Sequence, residues 1–287
     1  MNEELKVIVV THKDFDDTKL PKCYQVVQVG SDDHLQTLHP NWQRDNTGIN
    51  ISSENAYYCE LTAQYWEWKN STIKSKYVGL VHYRRYFFDY HDKSTSYDQD
   101  IITDRQIEEI LQKKDAILSF PTAKYAGYGT LYNNKSKEEQ DINWVTIEKI
   151  IHDVYPEYVD SFNRVLYGKL ATWGNMLITK RHLFEQYSAW LFDVLDRYDV
   201  QMEAEGHKRI PRVDGFLSEY LLLVWFHKNL PSNKIKYLEV RNTETDTFND
   251  YSQSFSGKVV HHIRSHYSLL FLARWARICV LMLKRRS

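Results

Sequence analysis

The sequence predicts an α/β fold built on a largely parallel sheet. Three features carry that prediction: strand-length runs of β-branched residues, helical stretches with an apolar stripe, and the alternation of the two along most of the chain. There is no internal repeat.

Leu5 to Thr11 has no polar side chain between Lys6 and Thr11, which marks a central strand covered on both faces. It ends at Thr11-His12-Lys13, a corner suited to face a ligand. Tyr24 to Val29 is a second short strand. The polar segment from Gly30 to Ile51, with turn signals at His39-Pro40 and Thr47-Gly48, is long enough to be a functional loop. Ser52 or Ser53 caps the next helix, which runs to Asn70 with Tyr57, Leu61, Tyr65 and Trp68 on its apolar stripe and Glu60, Gln64 and Glu67 on another face. Tyr77 to His82 is a strand that stops at His82-Tyr83-Arg84-Arg85. Thr103 opens a helix to Lys113, Ala116 to Phe120 is a strand closed by Pro121, and Thr122 to Asn143 is an irregular insert over a site. Helices follow from Trp144 to Val154 and from Glu157 to Leu166, split by Pro156. Trp173 to Thr179 is a strand and Arg181 to Tyr198 a long amphipathic helix. Asp214 to Lys228 is a buried helix, because its apolar positions run nearly unbroken from Phe216 to Phe226. Lys236 to Val240 is the last strand.

With 43% apolar and 26% charged residues the chain is globular, and one main domain over residues 1–258 holds all these elements. A net charge of -1 excludes a globally basic nucleic-acid binder, so any anion recognition is local. Cys23, Cys59 and Cys279 form no C-x-x-C pair, and the odd count points to a reducing compartment rather than a disulfide framework. The opening MNEELKVIVV carries acids where a secretory signal carries basic residues, so the cytoplasm is the expected location. Residues 259–287 differ in kind. From Tyr267 to Lys284 the chain is strongly apolar, yet Arg274 and Arg277 interrupt it and Lys284-Arg285-Arg286 ends it. Such charges make a spanning helix costly. The expectation is an amphipathic helix lying on an anionic membrane face, with docking on the protein's own core as the alternative.

Two arginines at the end of a buried strand place cationic forks at a sheet edge, where α/β proteins bind anionic ligands. Arg84 and Arg85 can neutralise a leaving diphosphate without a metal. In an extended chain they face opposite ways, so both reach one site only if the strand breaks at Tyr83. Pairing of either with an acid such as Glu60 is the structural alternative. Glu219, inside the apolar GFLSEYLLLVWF, needs a charge partner such as Arg212 or a catalytic purpose. It could take the proton of an acceptor hydroxyl as general base, with Asp214 as the competing candidate. No cofactor is expected. Manganese or magnesium is left open by two D-x-D tracts in poor contexts, Asp14-Phe15-Asp16 and Asp98-Gln99-Asp100, while the 12 histidines show no metal-ligand spacing. Phosphate-loop, dinucleotide and serine-hydrolase motifs are absent. The many tyrosines and tryptophans can stack on sugar faces or simply fill the core.

The order of these pieces resembles the bacterial domain-of-unknown-function 4422 family, found among capsular and exopolysaccharide glycosyltransferases. The matching tracts are VIVVTHK (Val7 to Lys13), RDNTGINIS (Arg44 to Ser52), YCELTAQYWEWKN (Tyr58 to Asn70), YVGLVHYRRYF (Tyr77 to Phe87), WGNMLI (Trp173 to Ile178) and RVDGFLSEYLLLVW (Arg212 to Trp225). The resemblance implies a GT-A-like nucleotide-diphospho-sugar transferase fold. It also implies transfer of a hexose, galactofuranose for example, from a UDP donor to a lipid-linked oligosaccharide at the inner membrane face, in capsular polysaccharide, exopolysaccharide or O-antigen synthesis. It places Thr11 and His12 near the nucleotide and Asp45, Asn46, Glu60, His82, Arg84 and Arg85 along the donor site. Arg212, which completes the donor set, and Glu219 match the late helix motif. Two tracts depart from the family pattern: Gln140-Asp141-Ile142-Asn143-Trp144 lacks a histidine, and Ala171-Thr172-Trp173-Gly174 replaces a Gly-His-Met-Phe-like run. No acceptor-side histidine is therefore assigned. Two other classes stand beside the transferase: a non-catalytic carbohydrate-binding or assembly protein, and a phosphoryl-transfer enzyme that uses the same arginines but lacks a phosphate loop.

Overall fold

A computed structural model describes residues 4–30, 38–71, 75–88, 101–123, 137–168, 170–172, 174–244 and 247–248. The opening apolar run forms β1 (Leu5–Thr11), followed by β2 (Tyr24–Gln28) and the short β3 (Gln43–Arg44), each parallel to the one before. As expected of a central strand, β1 is covered on both faces: Ile8 and Val10 pack into one apolar cluster, Val7 and Val9 into the other. The helix predicted over 52–70 is broken. After a 3-10 turn at Ser52–Glu54, α1 (Asn55–Tyr58) stops at Cys59, whose φ of 52° is left-handed, and α2 (Leu61–Asn70) restarts beyond it. Asn55 Nδ2 bridges the break, donating to Cys59 O at 2.7 Å and to Thr62 Oγ1 at 3.2 Å. A side chain bonding to nearby backbone competes with the helix in this way, and apolar periodicity does not register it.

β4 (Tyr77–His82) lies parallel to β1 and ends in a turn at Tyr83-Arg84; β5 (Arg85–Phe88), absent from the sequence-based expectation, then reverses direction. A capping box opens α3 (Asp104–Leu111), with Thr103 N donating to Gln106 Oε1 at 2.8 Å and Gln106 N to Thr103 Oγ1 at 3.4 Å. β6 (Ala116–Ser119) and β7 (Thr122–Ala123) precede α4 (Lys137–Val154) and α5 (Val159–Leu166), so the end of the expected irregular insert is helical. β8 (Leu170–Ala171), β9 (Leu177–Lys180), α6 (Arg181–Ala204), α7 (Val213–Asn229), β10 (Ile235–Asn242) and β11 (Thr247–Phe248) complete the described elements.

The large sheet has the order β11-β10-β6-β9-β4-β1-β2-β3, with β5 bridging β10 and β4, and β7 pairs with β8 separately. The expectation of a largely parallel sheet is corrected: the sheet is mixed. β9 runs antiparallel to β4 and β6, β5 to β4 and β10, and β11 to β10. An apolar run carries no sign of its direction. The chain reaches β9 from the edge where β1 and β4 end, and from there it enters the sheet running the other way. Gly79 permits the close contact, since a Cβ there would lie 2.7 Å from Ile178 Cγ1. Trp144, Phe184 and Leu217 pack with Leu80, Leu118 and Leu177 on one face, while Ile107 and Leu111 of α3 pack with Ile117 and Ile178 on the other. The C-terminal tail with its expected interfacial helix, Asp98-Gln99-Asp100 and Trp173 lie outside the described residues. No described helix is long and apolar enough to cross a membrane.

Glu67 of α2 is fully buried, with Lys6 Nζ at 2.6 Å and Arg181 Nη1 at 2.8 Å. Loss of one partner from a buried ion cluster strands the remaining charges. Replacement Glu67→Leu is therefore expected to destabilise the protein by about 3–5 kcal/mol, read from urea unfolding midpoints; a loss below about 1 kcal/mol, the range of a surface pair, contradicts this account.

Candidate functional site

Strands β1 to β4 are parallel, so their carboxyl ends share one edge of the sheet. The residues before antiparallel β9 arrive at the same edge, because Leu80 pairs with Leu177 and Tyr77 with Lys180. The topology thus gathers Thr11-His12, Asp45-Asn46, His82 to Arg85 and Gly174-Asn175 there. Helix α7 closes over the Cys59 break at Gly215, where a Cβ would lie 3.3 Å from Cys59 Sγ.

At the centre is Glu219 of α7. Its Oε1 accepts from Gly174 N at 2.6 Å, while Oε2 is buried without a hydrogen-bond partner among the described residues. Gly174 O is bonded by His82 Nε2. A carbonyl only accepts, so Nε2 carries the proton and Nδ1 is left as an acceptor. Asn175 Nδ2 donates to Glu60 Oε1 at 2.7 Å and to Gly215 O at 2.9 Å, and Thr172 Oγ1 donates to Glu219 O at 3.1 Å. Burial, and then the charge of Glu60, push the Glu219 carboxyl up to about 8, against the pull of Arg85 and Arg212. Burial holds the His82 imidazole below its usual value, with Glu60 opposing. Arg85 is half-buried, and its side chain makes no hydrogen bond or ion pair among the described residues. The non-glycine residues with left-handed backbone among those described are Cys59 at φ 52°, Asn175 at 49° and Arg212 at 67°, and they stand around this cluster beside Gly174 at 85°. Backbone strain of this kind collects at functional sites.

The strand does break at Tyr83, yet the two arginines are engaged differently. Arg84 Nη1 pairs with Glu244 Oε2 at 2.9 Å near the surface, whereas Arg85 acts on Glu219; both lie close enough to His82 to act on it. Among the described residues neither arginine pairs with Glu60. Asp214, expected as an alternative base, is directed to Arg209 at 2.7 Å, within a cluster where Arg209 also meets Asp199 and Glu54 at 2.9 Å each. Burial and the Asp199 charge raise the Asp214 carboxyl to about 7. Arg212 is exposed, caps α7 and lies over the Phe216 ring at 4.9 Å, so it reaches Glu219 through its field rather than by contact. Asp45 is buried and shapes its loop, accepting from Gly30 N at 3.1 Å and Ser52 Oγ at 2.6 Å; Asn46 beside it is half-buried. The Thr11 hydroxyl donates to Lys13 O at 2.6 Å, and exposed His12 sets its ring edge-on to Tyr83 at 5.6 Å. Asp14 is exposed and Asp16 accepts from Thr18 at 2.6 Å. Among the described residues no group of three or more His, Cys, Asp or Glu is placed to hold a metal.

Sequence reasoning missed Thr172, Gly174 and Asn175, which hold Glu60, His82 and Glu219 in place. The signal available was the Gly-Asn pair, the residue types that tolerate left-handed backbone.

The model of the family described as Domain of unknown function (DUF4422) matches residues 6–230. Among solved structures, the apo structure of the WbbM bifunctional glycosyltransferase superposes with a TM-score of 0.69 at 22% identity, covering 88% of this chain and 47% of that one. The chain thus spans about half the length of that protein. The X-ray structure of the mannosyltransferase Ktr4p from S. cerevisiae aligns over 88% of this chain and 76% of that one at 12% identity, with a TM-score of only 0.36. No curated protein matches the chain. The first of these likenesses shows the fold: a mixed α/β fold shared with a glycosyltransferase.

Glu219, Asp214 and Asp199 are raised to about 8, 7 and 6, each chiefly by burial. In these pH ranges the folded chain holds protons that the unfolded chain has lost, so stability falls as pH rises. Unfolding free energy measured in urea is expected to decline between about pH 7 and pH 8, above the range in which His82, held by burial below its usual value, gives the opposite slope, and Glu219→Gln to flatten that decline. Stability that climbs with pH over this range contradicts these protonation states.

Proposed function

We propose that this chain, which belongs to the DUF4422 family by its match over residues 6–230, is a glycosyltransferase that moves a sugar from a nucleotide-diphosphate donor to a glycan acceptor. The observation that carries the reading is the buried Glu219 carboxyl, with one oxygen unpaired, set among His82, Glu60 and Arg85 at the carboxyl edge of a fold shared with a glycosyltransferase. As an acceptor oxygen attacks the anomeric carbon, its proton passes to Glu219 Oε2. The bond from that carbon to the donor diphosphate breaks, and the leaving oxygen keeps the electron pair, its charge met by Arg85 and Arg84. A carboxyl poised near 8 suits a base that works close to neutral pH. The arginine forks make the reading metal-independent. A hexose from UDP and a lipid-linked acceptor at the inner membrane face are its finer form. They are supported by the sequence resemblance and by the basic, apolar composition of residues 259–287.

A thermal-shift panel of UDP-, GDP-, CMP- and dTDP-sugars, with and without manganese or EDTA, tests donor binding. One nucleotide class is expected to raise Tm, to do so in EDTA, and to lose the effect in Arg85→Ala. With an acceptor, free nucleoside diphosphate should appear. Glu219→Gln is expected to lower kcat by about 10²–10⁴-fold and to abolish the rise of activity with pH through about 8. Donor binding with no diphosphate release across an acceptor panel makes the chain a carbohydrate-binding or assembly protein instead.

A further inference from the structure

Glu244 brings a negative charge to the arginine corner. Its Oε2 meets Arg84 Nη1 at 2.9 Å, and Lys13 lies within electrostatic reach of the same carboxylate. The Tyr83 hydroxyl is buried, has no hydrogen-bond partner of good geometry among the described residues, and helps to hold the nearby Glu244 carboxyl below its usual value. Two cations and a buried hydroxyl that the Glu244 carboxylate engages only loosely form a cradle for an anion, and a single carboxylate fills it only in part. The contact engages Nη1 of Arg84 alone, whereas a phosphate takes the guanidinium fork through two parallel hydrogen bonds.

The backbone delivers Glu244 to this place. Thr243 N donates to Arg84 O at 2.8 Å, Glu244 N to Asn242 Oδ1 at 3.0 Å, and Asn242 pairs with Arg85 across β10 and β5. The turn bearing Glu244 is therefore fastened to the turn bearing the arginines, while the Glu244 side chain, 45% exposed, can rotate away. Ion pairs as exposed as this one are weak and easily exchanged.

We propose that Glu244 is a tethered stand-in for phosphate: its carboxylate occupies an anion cradle of Arg84, Lys13 and the Tyr83 hydroxyl, and the diphosphate group of a ligand displaces it. This deepens the transferase reading by assigning Arg84 to the phosphate end of the donor, and it rests on that reading only for what carries the diphosphate. The stand-in keeps Arg84 neutralised and oriented while the site is empty, and after reaction it competes with the bound diphosphate and favours its departure.

Titration calorimetry of the full chain with inorganic pyrophosphate tests the cradle in wild type, Glu244→Gln, Arg84→Gln and the double variant. Glu244→Gln is expected to bind pyrophosphate about two- to five-fold more tightly, the range of competition a surface ion pair can exert. Arg84→Gln should bind at least about ten-fold more weakly, and Glu244→Gln should bring no gain in that background. Equal affinity in wild type and Glu244→Gln, a gain that persists without Arg84, or no pyrophosphate binding by any of the four proteins overturns the proposal. Its failure is distinguishable from that of the transferase reading. Donor turnover with an unchanged pyrophosphate affinity in Glu244→Gln removes the stand-in alone; the expected affinities without any donor turnover remove the transferase alone.

Discussion

Glu67 has no exposure to solvent, and its two oxygens are taken by cations from distant parts of the chain, Lys6 in β1 and Arg181 at the start of α6. Because Arg181 follows directly on β9, this cluster sets where β9 leaves the sheet relative to α2. At the other end of β9, Asn175 donates to Glu60 at the start of the same helix. One short helix therefore grips β9 at both ends. A buried ion pair is weak support for net stability, but it punishes any arrangement that leaves one of its charges alone, and so it enforces geometry.

That geometry sets the surroundings of Glu219. A strand inserted against the direction of β4 delivers Gly174 and Asn175, rather than a strand's tail, to the edge where β1 and β4 end. Gly174 then uses both of its backbone groups, donating to Glu219 and accepting from His82. The left-handed backbone at Cys59, Asn175 and Arg212 is held by packing from α1, α2 and α7, which is how strain persists where it is needed. The outcome is a carboxyl whose ionisation is displaced toward neutrality by burial and by a second acid, within the field of two arginines.

A second ionic cluster braces the opposite side of the Cys59 break. Arg209 meets Glu54, Asp199 and Asp214 and lies over the Tyr57 ring at 4.0 Å, so one guanidinium ties the segments around α1, α6 and α7 together. Burial first, and then the crowding of carboxylates around one cation, raises the Asp199 and Asp214 carboxyls. Asp214 is thus engaged by Arg209 in the framework of this cluster, and Glu219, five residues along α7, keeps one oxygen without a hydrogen-bond partner among the described residues.

Much of this was legible in the sequence. The doubly covered β1, the Thr103 cap, the long helices and the strand ending at His82 are written in local composition and period, and they survive packing because an unbroken apolar run must be buried and a capping box closes a helix end whichever remote partners cover them. The positions of Arg84, Arg85 and Glu219 were legible as well, because charge in an apolar run is conspicuous. Strand direction was not, since a buried strand has the same composition run either way. The antiparallel β9 and the meeting of Arg84 with Glu244 across 160 residues depend on partners remote in sequence, while the Cys59 break comes from a nearby hydrogen bond that apolar period does not register. Which residues carry charge and which stretches must be buried can be read along the chain; which of those charges meet is set by the fold, because proximity is a property of the folded chain and not of any window along it.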